Sequence, residues 1–293
     1  MKIGIITRNK DGWCSTQLRK AIRKRNITPS CFSFSQLLAR VKYAPQASVD
    51  ETDVLRELSA LITRPIGRGS LEEIIFRMDI LHRLERLGML IINPPVAIEC
   101  CADKYHALAL LEERGLPVPR TAVTENPEEA LKAFYELGGD IVVKPLFGSR
   151  GAGSTRISDP EIARRVFRAI SFSHGVLYLQ QFVPHGSSDI RAFVIGDHVL
   201  ASMNRVAESW KTNVSLGAQP IPCKLDDELE NLAVNAAGVV GCRVAGVDIL
   251  EGPEGPVIVE LNSQPGWRGL QSVTKVNIAD AIIEDILLEL RGK

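Results

Sequence analysis

Apolar and polar positions alternate along this chain with two different periods. From residue 1 to about 95, short apolar runs take turns with helical patterns. Lys2 to Thr7 predicts a buried strand, and Ser15 to Arg25 a helix with Ser15 or Thr16 as its N-cap. Thr28 to Phe34, Ala60 to Thr63 and Leu90 to Ile92 predict further strands, with a helix over Leu71 to Leu87. Such alternation argues for a small parallel α/β domain. Ile98 to Arg114 predicts one continuous helix containing Asp103 and Lys104. Helices opened by Asn126-Pro127 and Asp159-Pro160 follow, because a capping side chain and a proline suit the first turn. Strands are expected at Asp140 to Pro145 and Val176 to Phe182, and a hairpin from Ser188 to Ala201 turning at Gly196-Asp197. A helix at Asp226 to Gly238 and an amphipathic helix at Ile278 to Leu290 complete the pattern.

The stretch Gly246 to Gly269 organises the rest. Val247 to Leu250 and Val257 to Leu261 flank a turn rich in glycine and proline, which is a hairpin pattern. A three-residue loop, Pro253-Glu254-Gly255, would set Gly252 opposite Pro256 and Asp248 opposite Glu260. Glu260 and Asn262 are two apart and share a strand face. Asp248, Glu260 and Asn262 would then converge as oxygen donors of the kind Mg²⁺ takes. The same alternation also describes a solvated sheet face.

Composition narrows the classes. The 293 residues carry 35 basic and 35 acidic side chains, a net charge of zero, so no global footprint for nucleic acid or membrane exists. The basic cluster Arg19, Lys20, Arg23, Lys24 and Arg25 reads as a wet helix face. No apolar run is long enough to span a bilayer, and Met1 to Thr7 reads as a strand, not a signal peptide. The six cysteines show no metal spacing and are expected as free thiols of a cytoplasmic protein. The histidines have no ligand spacing and are read as structural.

Two loops carry candidate chemistry. Lys144 ends a strand that leads into Gly148-Ser149-Arg150-Gly151-Ala152-Gly153. Backbone N–H groups of such a loop can cradle phosphates, with the lysine as a point charge. The loop is neither a Walker A sequence nor a dinucleotide fingerprint. The loop Arg64 to Ser70 falls at the carboxyl end of a predicted strand, where open α/β sheets place ligands. Its Arg64 and Arg68 suit an acidic ligand.

The ordered set Lys104, Val143-Lys144-Pro145 with the glycine loop, Gln181-Phe182-Val183, Asp189-Ile190-Arg191, Asn204-Arg205, Asn213, Asp248 and Glu260-Leu261-Asn262 resembles the ATP-grasp superfamily. Within it, the chain is similar to the RimK-type glutamate ligases. Arg64 to Glu72 and Asn262 to Gln271 look most like the tetrahydromethanopterin α-L-glutamate ligase branch. The resemblance implies an ATP-grasp fold, α/β and α+β. An N-terminal parallel α/β (pre-ATP-grasp) domain would span 1–96, a central lobe 97–175 and a C-terminal lobe with the metal site 176–293, the two lobes enclosing ATP.

Carried over by position, Lys104, Lys144 and the loop residues Gly148, Ser149, Gly151 and Gly153 hold phosphates. Gln181, Phe182 and Val183 line the adenine pocket. Asp189 lies on the ribose side, and the stretch from Lys211 to Asn213 near the phosphates or the metal region. Asp248, Glu260 and Asn262 would bind two Mg²⁺ or Mn²⁺ ions. Arg205 and Lys144 are the catalytic candidates, and Arg64, Arg68, Arg191 and Arg268 the candidates for substrate carboxylates. Gln181 stands where many relatives have Glu, and Ala218 where the ribosomal-protein ligases tend to have Gly.

The implied reaction is ATP-dependent, ADP-forming addition of L-glutamate to a small acidic acceptor such as a pterin cofactor. The alternatives are a ribosomal protein C-terminus or an amino-group carrier protein as acceptor, or a nucleotide-binding regulator without turnover. Many relatives are homo-oligomers, dimers or tetramers.

Overall fold

The computed structural model describes residues 1–148 and 151–292. In its first sheet the strands Thr28–Phe32, Lys2–Ile6, Ala60–Thr63 and Leu90–Ile92 lie in that order, all parallel. Ile3, Ile5, Leu61 and Ile62 are buried. Burial on both faces is why these strands read as unbroken apolar runs. The chain leaves Lys2–Ile6 through the helix Trp13–Arg23 to reach one side of the sheet, and later builds outward on the other side. The carboxyl ends of Lys2–Ile6 and Ala60–Thr63 therefore flank a topological switch point, where such sheets leave a crevice. A small antiparallel sheet, Leu37–Ala39, Ala47–Val49 and Thr52–Asp53, has strands too short for the sequence pattern to reveal.

The first core is closed by the other end of the chain. The helix Ile278–Gly292 packs on Trp13–Arg23, and Ile3, Leu18 and Ile22 share one core with Ile278, Ile282 and Ile286. Asp280 receives Lys24 at 2.7 Å and Arg25 at 2.9 Å. Asn93 makes a second tie. Its buried amide donates to the carbonyls of Val244 (2.6 Å) and Ser263 (2.5 Å) and accepts from the backbone N–H of Arg243 and Val244, both at 2.8 Å.

The next sheet is antiparallel, ordered Thr155–Ile157, Ile141–Lys144, Leu177–Gln181, Thr121–Thr124. Helices Pro127–Glu136 and Pro160–Phe172 cover it through Phe134, Phe167, Leu177 and Leu179. The last sheet runs Gln219–Cys223, His198–Val206, Ser188–Ile195, Val244–Gly252, Gly255–Asn262, with helix Asp227–Val239 packed against it.

The strand Leu177–Gln181 hydrogen-bonds into the middle sheet. Two expectations need correction. The predicted helix from Ile98 to Arg114 is two helices, Pro95–Ala102 and Lys104–Glu113. Asp103 breaks it, because its carboxylate caps the N–H groups of Tyr105 and His106. The hairpin turn is the two residues Pro253-Glu254, with Gly252 paired to Gly255. A bulge beyond Asp248 then restores Asp248 opposite Glu260.

Candidate active site

A cleft with about 830 Å³ of empty space, open to solvent, lies between the middle and last sheets. Of the sequence candidates, Lys104, Lys144, Gly148, Gly151, Gln181, Phe182, Val183, Asp189, Arg205, Lys211, Asn213, Asp248 and Glu260 line it. Ser149 lies outside the described residues. Gly153, Asn262, Arg64, Arg68, Arg191 and Arg268 are not on the cleft wall.

The last sheet carries a row of charge. Strand register sets Arg191 beside Asp248 and Asp248 beside Glu260. Side chains of directly paired residues share a sheet face. Gly246 leaves room for this arrangement, since a Cβ there would meet Arg191 Nη1 at 2.3 Å. Arg191 Nη2 donates to Asp248 Oδ2 at 2.8 Å, and its Nε also pairs with Asp248. Arg205, paired across the ladder with Asp189, donates to both of its carboxylate oxygens at 2.6 and 2.5 Å and reaches Asp248 at 3.2 Å. Burial opposes the charge on Arg205, but Asp248 and Asp189 outweigh it and hold the guanidinium charged. Arg205 is thus a buried charge anchor, Arg191 is committed to Asp248, and both oxygens of Asp189 are engaged by Arg205.

Glu260 differs. Among the described residues its carboxylate makes no hydrogen bond and no ion pair. Its surface is only half-buried, but it lies deep enough that desolvation pushes its pKa up, and Asp248 pushes it further. Lys104, Lys144 and Arg191 pull the other way from a distance. This unmatched carboxylate fits a cation: a divalent ion held by Asp248, Glu260 and Asn262 would supply the missing counter-charge.

The opposite wall is cationic. Lys144, at the end of Ile141–Lys144, donates to Gln180 Oε1 at 2.5 Å. Burial pushes its pKa down to about 8, Lys104 adds to the fall, and Glu260 opposes it. Lys104 opens the second of the two helices and donates to the carbonyls of Leu146 (3.1 Å) and Gly148 (3.0 Å), tying down the start of the glycine loop. Burial lowers its pKa as well. Gly151 has φ +69°, and a Cβ there would lie 2.2 Å from Asn213 Oδ1. The loop can approach the Lys211–Asn213 segment only as glycine.

The sequence reading missed several wall residues. Gln180 is buried and orients Lys144, while its amide donates to Thr121 Oγ1 and Tyr178 Oη. Trp210 meets Phe182 edge-on at 6.1 Å, and Arg156 lies 3.5 Å over the Phe182 ring while pairing with Asp140. His185 reaches the carbonyls of Val183 (2.7 Å) and Trp210 (3.0 Å), pinning the far loop to the strand end. The adjacent Gln180-Gln181 pair was the available signal, since alternation turns one glutamine inward.

Residues 101–286 match the RimK-like ATP-grasp domain. The tetrahydromethanopterin:α-L-glutamate ligase of Methanococcus maripaludis is 34% identical over 292 residues, covering 98% of each chain. The protein of that name from Methanosarcina acetivorans is 33% identical, covering 97% of this chain and 98% of its own. Among solved structures, the ATP-grasp ligase PsnB complexed with minimal precursor, Mg and ADP superposes with a TM-score of 0.77 at 22% identity, covering 99% of this chain and 97% of that one. The chain belongs to the RimK-like ATP-grasp family.

Proposed function

We propose that this protein is an ADP-forming carboxylate–amine ligase that adds L-glutamate to the terminal carboxylate of a small acidic acceptor, a pterin-type cofactor such as tetrahydromethanopterin. The observation that carries this reading is the cleft in which Lys104 and Lys144 face Asp248 and Glu260 beneath a glycine loop. Full-length relatives named for that reaction support the acceptor class.

An oxygen of the acceptor carboxylate attacks the γ-phosphorus of ATP, and ADP leaves. The amino nitrogen of glutamate then attacks the acyl carbon, inorganic phosphate departs, and the nitrogen loses a proton. Lys104 and Lys144 place fixed positive charge beside the phosphates during the first step. Gln180 keeps Lys144 aimed. Phe182, Val183 and Trp210 offer the base an apolar slot. The glycine loop, tied by Lys104, covers the phosphates and keeps water from the acyl phosphate. Asp248, Glu260 and Asn262 would hold Mg²⁺, which neutralises phosphate charge when bound. Two ions, and acceptance of Mn²⁺, belong to this proposal. Arg205 holds Asp248 and Asp189 in place, a positioning role.

The test is phosphate release from ATP and Mg²⁺ with and without L-glutamate. The acceptor panel holds a pterin bearing a terminal carboxylate, a ribosomal C-terminal peptide and a carrier-protein peptide, with products read by mass. A glutamate-sized gain on the pterin is expected. A gain on a peptide alone would overturn the acceptor, and no gain on any would overturn the ligase reading.

A further inference from the structure

Arg64 directly follows the strand Ala60–Thr63, at the switch point of the first sheet. Among the described residues its side chain makes no hydrogen bond and no ion pair. The guanidinium lies 4.9 Å over the ring of Trp267, and burial lowers its pKa. Two other inward arginines have their acids. Arg243 has Asp285 at 2.6 Å and Glu289 at 2.8 Å, and Arg205 has Asp189.

The neighbours of Arg64 are also short of partners. Among the described residues, Thr63 Oγ1 and Trp267 Nε1 are buried without a hydrogen bond, their residues only 2% and 1% exposed. Thr63, Arg64 and Trp267 line one small pocket together with Ser263. Ser263 is the residue after Asn262, so the pocket wall begins where the candidate metal strand ends. The helix Trp13–Arg23 begins alongside, with Trp13 packed edge-on to Trp267 at 6.2 Å. Its N-cap, Gly12, supplies no side chain to the first turn. A buried hydroxyl, a buried indole N–H and a half-buried guanidinium meet here, and among the described residues no acceptor answers them.

We propose that this pocket binds a substrate carboxylate that does not itself react: either the second carboxylate of the acidic acceptor or a carboxylate of the incoming amino acid. The inference rests on the ligase reading for its substrate and narrows four candidate arginines to one. Arg191 is held by Asp248, while Arg68 and Arg268 are exposed. A guanidinium out of water without a counter-ion is costly, and an aromatic ring offsets only a part of that cost. A carboxylate takes two parallel N–H donors from the guanidinium fork and leaves acceptor capacity for a hydroxyl or an indole. Cation–π contact holds the fork in place before the ligand arrives. Gln264 fixes the floor, its amide donating to the carbonyls of Thr63 (3.4 Å) and Arg64 (3.2 Å). The loop after the metal strand is thereby fastened to the residue that would read the carboxylate.

The experiment uses the full chain with Mg²⁺ and a non-hydrolysable ATP analogue already bound. Tryptophan fluorescence, reported by Trp13 and Trp267 beside the pocket, is titrated with L-glutamate, with L-glutamine as a control, and with a pterin bearing a terminal carboxylate and its amide. A saturable change with one carboxylate, much weaker with its amide, is expected. Arg64→Met, which keeps a packing stem against Trp267, should weaken that titrant and raise its KM by about tenfold or more. Affinity for the ATP analogue should stay the same, and Arg64→Lys should restore part of the loss. The titrant that responds identifies the source.

A purely structural arginine would instead lower the Tm in Arg64→Met and move no KM. That result, or the absence of a saturable change with any carboxylate, overturns the proposal. If the parent ligates and Arg64→Met leaves every KM within about twofold, the pocket fails alone. If the parent binds carboxylates through Arg64 yet ligates nothing, the ligase reading fails and the pocket stands.

Discussion

Glu260 stands across the ladder from Asp248, and the two carboxylates are matched unequally: Asp248 has Arg191 and Arg205, while Glu260 has no bonded partner among the described residues. An acid whose pKa is raised by folding favours the fold when protonated, and that contribution is lost as pH rises through the folded pKa. Glu260→Gln should therefore melt above the ligand-free parent at neutral pH, by about 1 kcal/mol of stability. The margin should shrink as pH falls into the ordinary carboxylate range. The same variant should lose the Tm increment given by Mg²⁺ with ATP, and at least about a hundredfold in turnover. Thermal melts across pH, with and without Mg²⁺–ATP, check both halves.

Lys144, with its pKa pushed down to about 8, is a charge that ATP-free protein gives up early. Its burial penalty is present below about pH 8 and is relieved as pH rises towards the ordinary lysine value. Phosphate binding needs the charged form. Apparent ATP affinity should fall as pH rises through and beyond about 8, and Lys144→Arg should flatten that profile because guanidinium stays charged. A profile that persists unchanged in Lys144→Arg would assign the titration to another group.

Gly151→Ala tests the loop. Its positive φ and the 2.2 Å approach to Asn213 leave no room for a methyl group. The ATP KM should rise by about tenfold with only a small change in Tm, because the strain sits in a loop and not in a core. Measured KM and melting curves separate this from a general loss of fold.

Asn93 satisfies four backbone groups by itself. Asn93→Leu leaves all four buried and unmet, at a cost of roughly 3 kcal/mol or more. Denaturant unfolding of the variant should show that loss, and ATP affinity should fall with it because the same amide positions Ser263 after the candidate metal strand.

Much of this was legible from local rules. Buried parallel strands announce themselves as apolar runs, and the hairpin at 196–197 carried its own turn residues. The convergence of Asp248 and Glu260 was also read correctly, although the route differed: a shorter turn and a bulge replaced the longer loop, and the two shifts cancelled. What stayed hidden was partnership at a distance. In the sequence Asn93 only follows a predicted strand and precedes two prolines, yet its partners lie some 150 residues away. Gln180 and Trp210 took meaning only when separate strands and loops closed on one cleft. Asp103 was placed inside a helix because helical periodicity runs through it; the capping geometry that breaks the helix depends on a single carboxylate.

The shared core of the two chain ends has a consequence for synthesis. Ile3, Leu18 and Ile22 leave the ribosome well before Ile278, Ile282 and Ile286, which cover them. The first sheet must wait for the intervening lobes to be made before one of its apolar faces is sheltered. During that interval it is a natural client for chaperones, and slow translation of the intervening lobes would lengthen the exposure.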